Sequence, residues 1–176
     1  MSATERKDDG ERTGVRVAVA GQGDVNVVTG LPVLDHLLGV LAEHASFDLA
    51  LEVAPDAALH EVAAAGRTLG TALAGPLRVA NARGHGSGVV PADEALAHVA
   101  LEASERPLVV SNVDLSQAHV GGLGSDLLAQ FLEELAAGAG LTLHVRLIHG
   151  EETQHVLEAI FKALGVALAQ ACAQRP

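Results

Sequence analysis

The sequence predicts an α+β fold: two internally duplicated, split-βαβ-like halves, each a mixed sheet with helices packed on one face. Three observations predict it. Apolar/polar alternation and helical periodicity succeed one another as strand-rich segment, helix, strand, helix, and then do so again. The segment 59–74 lies over 154–169 without a gap, placing His60 on His155, Arg67 on Lys162 and Leu69-Gly70 on Leu164-Gly165. The segment 41–53 lies over 135–147 at nearly the same offset. Ordered matches at one offset are the mark of an internal repeat. The reading is one domain over 11–176, built from repeats of about 11–76 and 77–176, behind a charged segment 1–10 expected to be mobile.

The elements follow in order. Val15 to Ala20 alternates as a half-buried strand and ends at the turn Gly21-Gln22-Gly23-Asp24, after which Val25 to Val28 resumes. Thr29-Gly30-Leu31-Pro32 breaks the strand and opens a helix over about Val33 to His44. Phe47 to Val53 is a strand, Ala54-Pro55-Asp56 a turn, and a helix carrying His60 runs to about Ala74. In the second half, 79–90 contains Gly84, Gly86 and Gly88 and reads as too glycine-rich for a rigid strand throughout. Strands are expected at Ala97 to Ala103, Leu108 to Val113 and Leu141 to Ile148. A helix N-capped by Ser125 is expected to reach about Ala137, and a last helix follows Gly150. That helix places His155, Glu158 and Lys162 on one face and Leu157, Ile160, Phe161 and Leu164 largely on the other.

Composition narrows the class. Apolar residues make up 49% of the chain, with no Trp or Tyr and three Phe, so the core is aliphatic. The net charge of −11 argues against nonspecific binding to nucleic acid or an anionic membrane. No uninterrupted apolar run reaches about 18 residues, so no membrane partner is expected. The single cysteine, Cys172, has no internal disulfide partner and suits a reducing, cytoplasmic location.

Candidate chemistry rests on the histidines, nine in all. His36, His44, His60, His144 and His155 lie where a site gathers them, and imidazole ligates many divalent ions. Read from the residues alone, the polar face of the last helix is either part of a metal site or a solvated surface. Repeat symmetry would set His60 and His155 facing one another. Arg67 and Lys162, with Arg83 and Arg106, are either an anion site or ordinary surface cations. The glycine-rich stretch 84–88 is a weak phosphate-cradle signal that matches no nucleotide-binding fingerprint. Asp93-Glu94 reads as a general base or as a solvated acidic pair.

Several ordered motifs carry a resemblance. Thr29-Gly30-Leu31-Pro32-Val33-Leu34-Asp35-His36-Leu37-Leu38, then Glu43-His44 and Phe47-Asp48-Leu49, resemble the TGIPFLDHML…RHGxFDL signature of the imidazoleglycerol-phosphate dehydratase family. So do Val90 to Leu96, Arg106-Pro107, Ala139 to His144 and His155 to Ala163, and the resemblance runs from about Val15 to Ala171. It implies a metal-dependent hydro-lyase that converts imidazole glycerol phosphate to imidazole acetol phosphate in histidine synthesis. It also implies a homo-oligomer, a 24-subunit shell of trimers, with manganese sites between subunits. By match to the family's motifs, the metal ligands would be His36, His60, His144, His155 and Glu158. The catalytic residues would be Glu158 and Glu11, and the substrate's phosphate would meet Arg83, Arg106 and Lys162.

The chain departs from the family's two His-His-x-x-Glu motifs. Leu59 and Ala63 stand for a histidine and the glutamate of the first, and Gln154 for a histidine of the second. One implied ligand set keeps His36, His60 and His155 but lacks its glutamate; the other keeps only His144 and Glu158. The expectation is therefore a metal at the imidazole-rich set, manganese by resemblance or zinc by the altered ligands. The alternative to an enzyme is a non-catalytic paralogue serving as a structural or regulatory subunit of the same shell.

Overall fold

The computed structural model describes residues 2–6, 13–115, 119–120 and 123–176. The first half comprises β1 (Ser2–Arg6), β2 (Gly14–Ala18), β3 (Val25–Val28), α1 (Pro32–Ala45), β4 (Asp48–Glu52) and α2 (Ala58–Ala74). A 3-10 turn, Pro76–Arg78, leads to β5 (His85–Ala92), β6 (Ala95–Ala103) and β7 (Leu108–Ser111). A short ribbon, β8 (His119–Val120) and β9 (Leu123–Gly124), precedes α3 (Ser125–Ala139), β10 (Leu141–His149) and α4 (Thr153–Cys172).

The duplication is visible in the topology. The sheets run β1-β2-β4-β3 and β5-β6-β10-β7. Each has two antiparallel pairings and one parallel pairing, and the parallel pair in each is joined through a helix, α1 between β3 and β4, α3 between β7 and β10. Alternation dictates which side of each strand is dry: Val15 and Val17 on β2, Leu49 and Leu51 on β4, Val99 and Leu101 on β6, Leu143 and Val145 on β10 are all buried. The helices cover those faces. Helices α1 and α2 pack on the first sheet, α3 and α4 on the second, and across the halves α1 meets α4 and α2 meets α3. The layer order is sheet, helices, helices, sheet, leaving the outer side of each sheet bare of helices.

An aliphatic, glycine-containing sequence lets these layers approach closely. A Cβ on Gly165 of α4 would collide with the Leu41 carbonyl of α1, and one on Gly66 of α2 would meet the Phe131 carbonyl of α3 at 2.7 Å. Phe131 and Phe161 fill the centre, with ring centroids 5.4 Å apart. Helix α4 is long and apolar enough to cross a membrane by length and composition, but 67% of its apolar window is buried inside the protein, as a core helix requires.

Two segments differ from expectation. Ser2–Arg6, expected to be mobile, pairs as an antiparallel edge strand with Gly14–Ala18. The glycine-rich stretch is a regular strand, β5, because α4 lies directly on it. A Cβ at Gly86 would strike the Ala167 carbonyl, and one at Gly88 would come 2.8 Å from that of Ala163. Glycine here makes room for a helix and not for a phosphate. β5 turns into β6 through the two-residue hairpin Asp93-Glu94, with Asp93 in the left-handed region at φ 54°. The C-terminal residues return to the link between the halves: Gln174 bridges to Ala82, and the Arg175 amide donates to the Asn81 carbonyl at 2.7 Å.

Candidate active site

The polar face of α4 meets residues from both halves. His36 lies one turn into α1, whose start is fixed by Pro32 and by the Asp35 carboxylate, which accepts from the Thr29 amide at 2.8 Å and the Thr29 hydroxyl at 2.5 Å. Asp35 therefore organises the loop ahead of the helix. Nε2 of His36 lies 3.1 Å from Oε1 of Glu158 on α4, and the side chains are 56% and 21% exposed. The contact joins residues 122 apart in the chain, and solvent reaches both of them.

One turn earlier on α4, His155 sits in an acidic pocket. Its Nδ1 lies 2.7 Å from Oε1 of Glu94 and 3.4 Å from Oε2 of Glu152, and its Nε2 lies 4.0 Å from Oδ2 of Asp93. A carboxylate only accepts, so Nδ1 carries the proton and donates to Glu94. That bond is the main reason the imidazole holds its proton above its usual range, with the charges of Glu152, Glu94 and Asp93 adding to it. The same bond draws the Glu94 carboxyl below its usual range, helped by the amide dipoles of Glu151 and Glu152. Those amides make no well-formed hydrogen bond to it, and Oε2 of Glu94 is buried without a partner. The sequence offered Asp93-Glu94 only as a base or a solvated pair; the hairpin turn that delivers Glu94 to His155 lies 61 residues away in the chain.

The other expected residues lie apart within one chain. His60, at the start of α2, is exposed, and its Nδ1 lies 3.2 Å from Oδ1 of Asp56. Leu59 beside it is exposed and Ala63 half-buried, and neither hydrocarbon side chain carries a donor atom. His44 directs Nδ1 to the Val40 carbonyl at 2.9 Å. His144 lies on the outer side of the second sheet, in an open cleft of about 360 Å³ shared with His98, Ser111, Asn112 and Arg146. Lys162 donates to the Pro91 carbonyl at 3.4 Å, at the hairpin end of β6, whereas Arg106 follows the opposite end of that strand. Arg83 lies near the Arg106 end, before β5. One chain thus does not bring Arg106 and Lys162 to a common phosphate. Glu11 lies outside the described residues.

The donor chemistry fits a divalent cation on the α4 side. Donor atoms of Glu94, Glu152 and His155 lie within 4.8 Å of one another. Imidazole nitrogen with carboxylate oxygen suits manganese, iron and zinc alike. Around His60 the described residues offer Asp56 and no second imidazole.

The chain is similar to known proteins in sequence and in fold. The family model described as Imidazoleglycerol-phosphate dehydratase matches residues 29–168. The imidazoleglycerol-phosphate dehydratase of Syntrophobacter fumaroxidans is 42% identical over 159 residues, covering 88% of this chain and 81% of the relative. That of Pelobacter propionicus is 36% identical over 170 residues, covering 93% and 86%. Among solved structures, the dehydratase of Staphylococcus aureus superposes with a TM-score of 0.88 at 28% identity, covering 99% of this chain and 100% of that one. The enzyme of Pyrococcus furiosus, in complex with (S)-C348, superposes at 0.82 with 31% identity, covering 97% and 94%.

Proposed function

We propose the following division of labour from the premise that this chain belongs to the imidazoleglycerol-phosphate dehydratase family. The reaction is the family's: a hydro-lyase of histidine biosynthesis takes imidazole glycerol phosphate to imidazole acetol phosphate by loss of water. Membership favours this reading over a non-catalytic subunit. The observation that carries it is the carboxylate of Glu158, presented beside His36 on the motif-bearing face of α4.

A divalent metal, manganese or zinc, when bound would polarise the substrate's imidazole ring and stabilise negative charge there. We assign its ligands to His36, His60 and His155, contributed by more than one chain, since one chain does not gather them. Glu158 moves the proton whose removal leads to expulsion of hydroxide, a role open to an accessible carboxylate within reach of the reacting carbon. Glu11 lines the same site by resemblance. Arg106, Arg83 and Lys162 hold the phosphate through charge-assisted hydrogen bonds. Their separation on one chain supports a phosphate pocket formed between chains, and with it a homo-oligomer. The enzyme works in the cytoplasm, as its substrate pathway and single buried thiol suit.

The test is turnover of imidazole glycerol phosphate by protein reconstituted with manganese or zinc, followed as imidazole acetol phosphate formation. Wild type forms product, and Glu158→Gln loses at least about a hundredfold in rate, the lower range of general acid-base contributions. A reconstituted wild type that forms none would return the chain to the non-catalytic reading.

A further inference from the structure

We infer that Glu94 is a positioning residue of the metal centre: its carboxylate holds the Nδ1 side of His155 and so presents Nε2 to the cation. The inference rests on the assignment of His155 to the metal made above, and adds a residue to which that assignment gives no part.

Oε1 of Glu94 lies 2.7 Å from Nδ1 of His155, the shortest of the ring's carboxylate contacts. A carboxylate only accepts, so this bond keeps the proton on Nδ1. The nitrogen left to donate to a metal is Nε2, on the other side of the ring. Asp93 lies 4.0 Å from Nε2, too far to bond it but near enough to favour a positive charge there. Glu152 reaches Nδ1 only at 3.4 Å, from a side chain that is 61% exposed, so it is the weaker holder. A carboxylate behind a ligating imidazole fixes its tautomer and orientation and makes it a better donor.

The fold gives this contact a firm base. Glu94 is the second residue of the two-residue hairpin, after Asp93 at φ 54°. Ala95 follows it and is buried, and a Cβ on Gly150 would come 3.2 Å from that of Ala95. Hairpin and helix entry are therefore packed together. Two turns further along α4, Lys162 donates to the Pro91 carbonyl at 3.4 Å, a second tie between helix and hairpin. Oε2 of Glu94 is buried without a hydrogen-bond partner. Leaving that oxygen unpaired costs stability, which a contact serving packing alone would not require.

The experiment follows zinc binding to the full chain by isothermal titration calorimetry. Solid-state nitrogen NMR of protein labelled in its histidine rings identifies the protonated and the metal-bound nitrogens. The His155 signals are those lost in His155→Ala, a variant that should also bind zinc more weakly. In wild type we expect zinc on Nε2 of His155 and the proton on Nδ1. Glu94→Ala should weaken zinc binding by about 10–100-fold. It should also abolish the preference for Nδ1–H in the neutral, metal-free ring. Glu94→Gln, whose amide oxygen still accepts from Nδ1, should fall between, and Glu152→Gln should leave the affinity unchanged. Circular dichroism verifies folding. If Glu94 only fastens the hairpin, Glu94→Ala and Glu94→Gln lower thermal stability but move neither the tautomer nor the zinc affinity, and the inference is overturned. Zinc found on Nδ1, or equal losses in Glu94→Ala and Glu152→Gln, would make the two acids direct ligands and overturn it as well. Undiminished binding in His155→Ala overturns the ligand assignment and this inference with it. Turnover is not a readout here. Zinc bound as described, with no product formed from imidazole glycerol phosphate, would sink the dehydratase reading alone.

Discussion

At His155 the chemistry is set by three acids that no local pattern announces. The imidazole's proton is stabilised by Glu94, Glu152 and Asp93, and Glu94 is in turn held ionised by the imidazole. The signs follow from linkage. A raised histidine contributes stability that is fully present below its ordinary value of 6.5 and is lost as pH rises through the higher folded value. A lowered glutamate contributes stability that is present above its ordinary 4.5 and lost as pH falls through the lower folded value. The pair therefore contributes fully between 4.5 and 6.5 in the metal-free chain. We expect the His155 ring resonance to titrate above 6.5 by NMR, and Glu94→Gln to bring it down. No shift between wild type and variant would mean that Glu94 does not hold the ring. At this scale the sequence was half legible. His155, Glu158 and their spacing stand in the motif, because helix periodicity is local. The contacts of Glu94 with His155 and of His36 with Glu158 were not, because each closes a long loop between repeats.

Elements were more legible than contacts, and the exception instructs. The helices and most strands fall within a few residues of their sequence bounds, since period and breakers mark them. β5 was misread because its glycines look like flexibility in sequence and are packing in space. The same physics separates two helical glycines. Ala is intrinsically better than Gly inside a helix by about 1 kcal/mol. At Gly39 of α1 a new Cβ meets only a Val25 methyl at 3.7 Å, an ordinary contact, so Gly39→Ala should stabilise by about 0.4–1 kcal/mol. At Gly165 the new Cβ runs into the Leu41 carbonyl, a backbone atom with no room to move. Overpacking of that kind costs about 1–3 kcal/mol, so it outweighs the propensity gain and Gly165→Ala should destabilise. Urea unfolding of both variants checks the opposite signs; a stabilised Gly165→Ala would mean that α1 and α4 are not in backbone contact.

For the molecule as a whole, the duplicated topology was readable from two segment matches at nearly one offset, whereas the face-to-face packing of the helical layers was not, since each half's helices are apolar on more than one side. The outer sides and edges of the sheets carry exposed Val28, Val89, Leu108, Val110 and Ile148. Exposed apolar residues on uncovered sheets favour association. On the phosphate assignment proposed above, Arg106 and Lys162 lie at opposite ends of β6, and a neighbouring chain would unite them. Light scattering at micromolar concentration should give a mass several times that of one chain, and a single-chain mass would rule this out. The return of the C-terminal residues to the link between the repeats governs where a protease can enter. Trypsin needs an extended, unpaired stretch, and the bonds at positions 173 to 175 hold Asn81, Ala82 and Arg83 in place. Arg175→Pro removes the amide that donates to Asn81. It should speed cleavage after Arg83, seen as two fragments on a denaturing gel, whereas an unchanged digestion rate would show that the link is guarded by something else.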